Sequence, residues 1–175
     1  MYDDLIALAE HIVQIDAAGR TRQAHLRRAV STAYYAVFHY LVHEACCAQI
    51  GTQNSQRGYR HSLGRAFAHT TMKKACSSFG GGTLRESVIK GLPRDANGNY
   101  SVPREIRDIA ATFTELQEKR HLADYDLSEP WRRSEVLTLI DQAKSHVERF
   151  QRLAPTDDRK FFLACLWAWK ELENR

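Results

Sequence analysis

Nowhere in its 175 residues does the chain hold a run of about 18 apolar side chains, which removes a membrane-spanning helix from consideration. Cysteine is scarce, and Cys46, Cys47, Cys76 and Cys165, two of them adjacent, do not make the spacing of a disulfide framework. The start, Met1-Tyr2-Asp3-Asp4, lacks the basic-then-apolar order of a signal peptide, so a reducing, cytoplasmic compartment is expected. Period-two alternation and internal repeats are missing as well. The Gly80-Gly81-Gly82 triplet has no Lys-Ser/Thr after it and follows no predicted strand, which excludes a Walker-type or dinucleotide phosphate loop. A serine-hydrolase elbow is also absent.

Acidic residues are sparse in one region. Between residues 20 and 94 only Glu44 and Glu86 oppose twelve Lys and Arg side chains, a net +10 in a chain whose total is +4. The remainder therefore carries −6. Arginine outnumbers lysine eighteen to seven, and its planar fork suits phosphate oxygens. Arg27, Arg28, Arg57, Arg60 and Arg65, with His121 further on, are the candidate nucleic-acid contacts. A merely solvated basic surface is the competing account.

What is there is helical periodicity. With 43% hydrophobic and 26% charged residues, the chain has the size and composition of one ordinary globular domain. Leu5, Leu8, Ala9, Ile12 and Val13 predict a first helix over 2–18, ended near Gly19. Leu26, Val30, Ala33, Val37 and Leu41 predict a second from near Thr21 to about Gln49, stopped by Gly51. Beyond a polar loop from Thr52 to Gly58, a third covers His61 to Phe79, with Leu63, Phe67, Thr70 or Thr71, and Lys74 in register. Residues 83–102 read as irregular, with Asp95-Ala96-Asn97-Gly98 as a turn. A connector as long as 80–102 is either functional or a disordered insertion, and Arg85, Lys90 and Arg94 equip it to close over a bound strand. The fourth helix spans 102–124, with Ser101 as N-cap and Pro103 in its first turn. A fifth carries Val136, Ile140, Ala143, Val147, Phe150 and Ala154, and Pro155 ends it. The sixth, 156–174, is capped by Thr156 or Asp157 and holds Phe161, Phe162, Cys165, Trp167, Trp169 and Leu172. The expected architecture is all-α, an antiparallel up-down bundle in a single domain over 1–175.

One position breaks the apolar pattern. Ile106, Ile109, Phe113, Leu116 and Ala123 form the inward stripe of the fourth helix, and Arg120 stands on that stripe. A guanidinium facing a core is costly unless paired. Asp124, one turn on, can neutralise it, with Ser31, Tyr34 or Tyr35 accepting its remaining hydrogens, which makes a buried polar network. The alternative is that Arg120 is kept to meet an anion.

Elsewhere, His39, His43, Glu44, Cys46 and Cys47 invite a metal reading. Position 47 is cysteine where the spacing His-Glu-x-x-His needs histidine, and no second ligand cluster follows, so no metal and no cofactor are expected.

The segment Ser31-Thr32-Ala33-Tyr34-Tyr35-Ala36-Val37-Phe38-His39 resembles the helix-two signature of HEPN domains. Arg120-His121-Leu122-Ala123-Asp124-Tyr125 resembles the Arg-x-x-Ala-Asp-Tyr segment of one branch of that superfamily, and His61 resembles a histidine these proteins often carry. The likeness covers roughly residues 2–153 and leaves out the sixth helix and the loop 80–102. It implies a homodimeric helical bundle whose motif ends face each other across a cleft. It also implies metal-independent endoribonuclease chemistry, often as the toxin of a toxin–antitoxin pair with a minimal nucleotidyltransferase partner. The usual motif has a histidine four to six residues after the arginine, and here Tyr125, Asp126 and Leu127 occupy those places. Arg120, His61, Tyr125 and Asp124 are thus the candidate catalytic set, with Arg120 as the cation for a charged phosphorane and a histidine as acid or base. Three readings remain open: an RNA- or nucleotide-binding domain with or without cleavage, a protein-interaction module for a nucleotidyltransferase, and a structural dimer with an Arg120–Asp124 pair.

Overall fold

The computed structural model describes residues 1–14, 21–82, 84–90 and 92–173, and among them every regular element is a helix. The elements are α1 (Tyr2–Ile12), α2 (Gln23–Ile50), α3 (Arg57–Gly64), α4 (His69–Gly80), α5 (Glu86–Ile89), α6 (Arg104–Tyr125), α7 (Arg133–Arg152) and α8 (Asp157–Glu173). A 3-10 turn, Asn54–Gln56, precedes α3. No described helix is long and apolar enough to cross a membrane. The chain groups into two compact units, one of residues 1–40 and 112–148, the other of 41–111 and 149–175.

In the first unit, α1 stops at Ile12 instead of continuing to residue 18. The Val13 carbonyl there accepts from Arg133 Nε at 2.9 Å, and residues 15–20, Gly19 included, lie outside the described residues. The core of this unit is built from three of the expected stripes. Leu26, Val30, Ala33, Tyr34 and Val37 from α2 are buried, as are Phe113, Leu116 and Ala123 from α6 and Val136, Ile140, Ala143 and Val147 from α7. Gln23 holds the approach to α7. Its amide donates to the Trp131 carbonyl at 2.8 Å and accepts from the Trp131 N–H at 2.9 Å, satisfying both polar groups of a backbone position beside a buried ring. Lys144 pairs with Glu10 at 2.6 Å and Lys119 with Glu135 at 2.9 Å, and each carboxylate raises its lysine above the ordinary range.

The second unit corrects the third predicted helix. One helix over 61–79 is replaced by α3 and α4, with Ala68 extended between them at φ −108° and ψ 134°. The polar residues read as a loop up to Gly58 are already the 3-10 turn and the start of α3. Register shifts accordingly: Thr71, Met72, Ala75, Cys76 and Phe79 are buried, and Lys74 turns outward to Glu173 at 3.4 Å. Gly51, at φ +99°, ends α2 as predicted, its N–H returning to the Cys47 carbonyl at 2.8 Å. Gly80 is required by proximity. A β-carbon there would lie 3.0 Å from the Ala111 backbone nitrogen on α6.

The C-terminal helix belongs to the core of this unit. Thr156 caps it through a bond from the Arg159 N–H at 3.3 Å. Phe162, Leu163, Cys165, Leu166 and Trp169 are buried, whereas Phe161 is half-buried and Trp167 stays 41% exposed. The rings of Phe79 and Phe162 meet edge to face at 5.0 Å, and Phe150 and Trp169 extend the cluster. Described residues of segment 80–102 pack here too, with Leu84 and Val88 buried and the Tyr100 hydroxyl donating to Asp158 at 3.0 Å. Its Asp95–Gly98 turn is present, with Asp95 Oδ1 accepting from the N–H groups of Asn97 and Asn99. Two of the cations assigned to a closing loop are already paired, Arg85 with Glu173 and Arg94 with Glu86.

Candidate functional site

The site is assembled from the 27–38 stretch of α2 and the last turns of α6, all in the first unit. Tyr34 is fully buried, its ring centre 5.6 Å from that of Phe113. Tyr35, one residue on, is rotated toward the edge, its ring 5.3 Å from that of Tyr34. From α6, Arg120 reaches these rings, with its guanidinium carbon 5.7 Å from the Tyr35 ring centre, 5.9 Å from Tyr125 and 6.0 Å from Tyr34. Three π faces around one cation favour it electrostatically.

The polar partners are few. Arg120 Nε lies 2.6 Å from Asp124 Oδ2, but its N–H is not directed along that line, so the contact is an ion pair without a formed hydrogen bond. Arg120 Nη2 donates to the Tyr35 hydroxyl at a long 3.3 Å. The other Asp124 oxygen accepts from the Ser31 hydroxyl at 2.6 Å, which ties α6 to α2. Of the partners the sequence offered Arg120, Asp124 and Tyr35 are in place, whereas Ser31 bonds Asp124 instead, and Arg120 is half-buried with its Nε out of solvent and without a hydrogen-bond partner. Its side chain is 26% exposed and that of Asp124 is 29%.

Around this centre the other candidates divide. Tyr125 is exposed at 67% and its ring lies 5.0 Å from the exposed His121, so these two form an accessible rim. Arg28 is exposed on α2. Arg27 has a different duty. Its Nη1 donates to the carbonyls of Ala123 at 3.0 Å and Asp126 at 2.7 Å, and Nη2 to Glu129 at 2.7 Å. Those are the orphan acceptors at and beyond the C-terminus of α6, so Arg27 caps that helix. Asp126 completes the turn, accepting from the Ser128 hydroxyl and N–H, and these bonds hold its carboxyl below the usual range.

His61, Arg57, Arg60 and Arg65 all belong to the second unit, on α3 and its C-cap. Arg60 is turned inward and donates to the carbonyls of Gly51 at 2.8 Å and Gln53 at 3.0 Å. His43 Nε2 lies 3.5 Å from Cys47 Sγ, and among the described residues no three His, Cys, Asp or Glu side chains gather as a metal group. Burial lowers the pKa of His39 and raises those of Cys46 and Cys47. One strong polar clasp went unforeseen: Arg159 of α8 pairs with Glu44 of α2 at 2.6 Å and packs over the Phe150 ring. Its one sequence signal was Glu44 itself, isolated among cations. Comparison with family models, curated proteins and solved structures finds no match to this chain.

Chemically, the first-unit arrangement suits holding an anion more than moving a proton. It offers a fixed cation with an uncommitted edge, aromatic faces on which a base can stack, and an exposed tyrosine and histidine at the rim. The rings of His121 and His39 lie beside Tyr125 and Tyr35, at 5.0 and 6.2 Å.

Proposed function

We propose that this chain is a HEPN-like domain that binds single-stranded RNA, with Arg120 meeting a phosphate and Tyr125 offering a face to a base. The observation that carries the reading is the incomplete pairing of Arg120. A purely structural arginine at this depth should have its donors filled, because an unmet N–H out of water is unfavourable by about 1–3 kcal/mol. Here one carboxylate is in contact without an aimed hydrogen bond, the tyrosine bond is long, and a quarter of the side chain is open. The choice of RNA over other anions draws on the resemblance of the Tyr34-Tyr35 and Arg120–Tyr125 segments, and the basic balance of residues 20–94 accords with it.

Binding without cleavage is the form favoured by the motif, which holds Tyr125, Asp126 and Leu127 where the usual histidine would stand. Cleavage without a metal needs an acceptor for the 2′-hydroxyl proton, and the histidines nearest this centre are the exposed His121, in ring contact with Tyr125, and the half-buried His39, stacked 6.2 Å from Tyr35. The test is fluorescence anisotropy of a labelled single-stranded RNA against the purified protein, with Arg120→Met beside it. Binding that falls at least about tenfold in the variant, roughly 1.4 kcal/mol, supports the reading. Equal affinity for both proteins, or none for either, overturns it. Gel analysis of the same RNA after prolonged incubation decides cleavage: fragments that disappear with Arg120→Met would establish the nuclease form.

A further inference from the structure

We infer that the outward face of α3, made of Arg57, His61 and Arg65, is a docking strip for the sugar–phosphate backbone of single-stranded RNA. The inference rests on the reading that RNA is the partner and adds a second, separate contact surface in the other unit.

The first support is how α3 is anchored. Its inner face is used up: Arg60 is fastened to the Gly51 and Gln53 carbonyls, and Gly64 sits against Val42 and Cys46 of α2, where a β-carbon would lie 3.6 and 3.8 Å from their side chains. Arg57, His61 and Arg65 follow one another at four-residue intervals, and Arg65 keeps helical backbone angles at the C-cap. They therefore form a single stripe with a rise of about 6 Å between neighbours, close to the separation of successive phosphates along a strand. Beside them lie Gly58, whose β-carbon position opens on empty space, and the exposed Ser62, so nothing bulky covers the stripe.

The second support is the contrast with five other arginines of this unit. Arg60, Arg85, Arg94, Arg104 and Arg159 each meet a carbonyl or a carboxylate. Arg57, His61 and Arg65 are exposed and, among the described residues, their side chains make no hydrogen bond, ion pair or ring contact. No Asp or Glu occurs between Glu44 and Glu86, so the chain supplies no counter-charge near them in sequence. Arg57 and Arg65, two turns apart without an internal anion, repel one another, and a polyanion relieves that repulsion while releasing its own counterions. A lipid surface is the weaker occupant. An interfacial helix needs an apolar face toward the acyl chains, and the packed side of α3 is turned to α2.

The experiment is a salt titration. Affinity of the full-length protein for a fluorescein-labelled single-stranded oligouridylate is measured at several salt concentrations for wild type, the Arg57→Gln/Arg65→Gln double variant, the matching double lysine variant and His61→Gln. The double glutamine variant should weaken binding at low salt and flatten the log–log salt slope by about 1.4, near 0.7 for each lost phosphate contact. Lysines at both positions should restore the slope, and His61→Gln should weaken binding less. An unchanged slope in a folded double variant that still binds overturns the strip and leaves the Arg120 reading standing. Absence of binding by wild type overturns both. If the double variant loses affinity for phosphatidylserine vesicles and keeps it for the oligonucleotide, the strip faces lipid and the RNA assignment fails.

Discussion

Each unit places one arginine over aromatic rings beside one acid, and the two are handled differently. Arg159 in the second unit is 13% exposed, pairs with a half-buried Glu44 from a distant part of the chain, donates to the Leu153 carbonyl and covers the Phe150 ring. Arg120 in the first unit is twice as exposed and pairs within its own helix, one turn away. The first arrangement joins α8 to α2 across 115 residues of sequence. The second adds little to tertiary structure, because an i,i+4 pair exists in an isolated helix and contributes only a few tenths of a kcal/mol. What binds α6 to α2 at this point is Ser31 on Asp124 and Arg27 on the helix end. A cation that the fold can spare is one that a ligand can recruit.

The sharpest way to break this contrast is to remove both arginines in turn. Arg159→Ala should lower unfolding free energy by about 3 kcal/mol in urea titrations, since it strands Glu44 and uncovers Phe150. A loss below about 1 kcal/mol would make the two arginines equivalent. Next in size is Arg27→Ala, expected to remove about 2 kcal/mol by the same measurement, because several carbonyls at the end of α6 lose a charged donor together. Arg120→Met should change stability by less than about 1 kcal/mol in either direction while weakening RNA binding. A loss as large as that of Arg159→Ala would return Arg120 to a scaffolding role.

The smallest expected effect is a pH dependence at His39. Burial lowers its folded pKa, so the unfolded chain takes up the proton first and stability falls as pH drops through the ordinary histidine range. Urea midpoints measured between neutral pH and about pH 5 should decline, and His39→Gln should flatten part of that decline. A His39→Gln profile that superimposes on the wild-type curve would show that this ring stays hydrated.

Legibility followed the physics of each feature. Helices α2, α6 and α7 are readable because each buries one long stripe, and a stripe repeated over about four turns or more leaves little freedom of register. The 61–79 stretch was misread since its apolar positions are few, and Ala68, a good helix former, is held extended between Phe67 and α4 for tertiary reasons. Asp124 as partner of Arg120 was within reach because one turn of helix fixes the distance. Arg27 as a cap was not, for its acceptors are backbone atoms that carry no sequence signal.

Composition and periodicity alone determined that the chain is helical, where α2, α6 and α7 run, that Arg120 stands on an otherwise apolar stripe, and that positive charge concentrates before residue 94. Only tertiary structure decided which cations are occupied. Arg27, Arg60 and Arg159 are turned to carbonyls and to Glu44, while Arg57, Arg65 and part of Arg120 are left to solvent. The reason is that helical spacing is a local property written in every four residues. The acceptor a guanidinium finds depends on which distant backbone the fold brings within 3 Å.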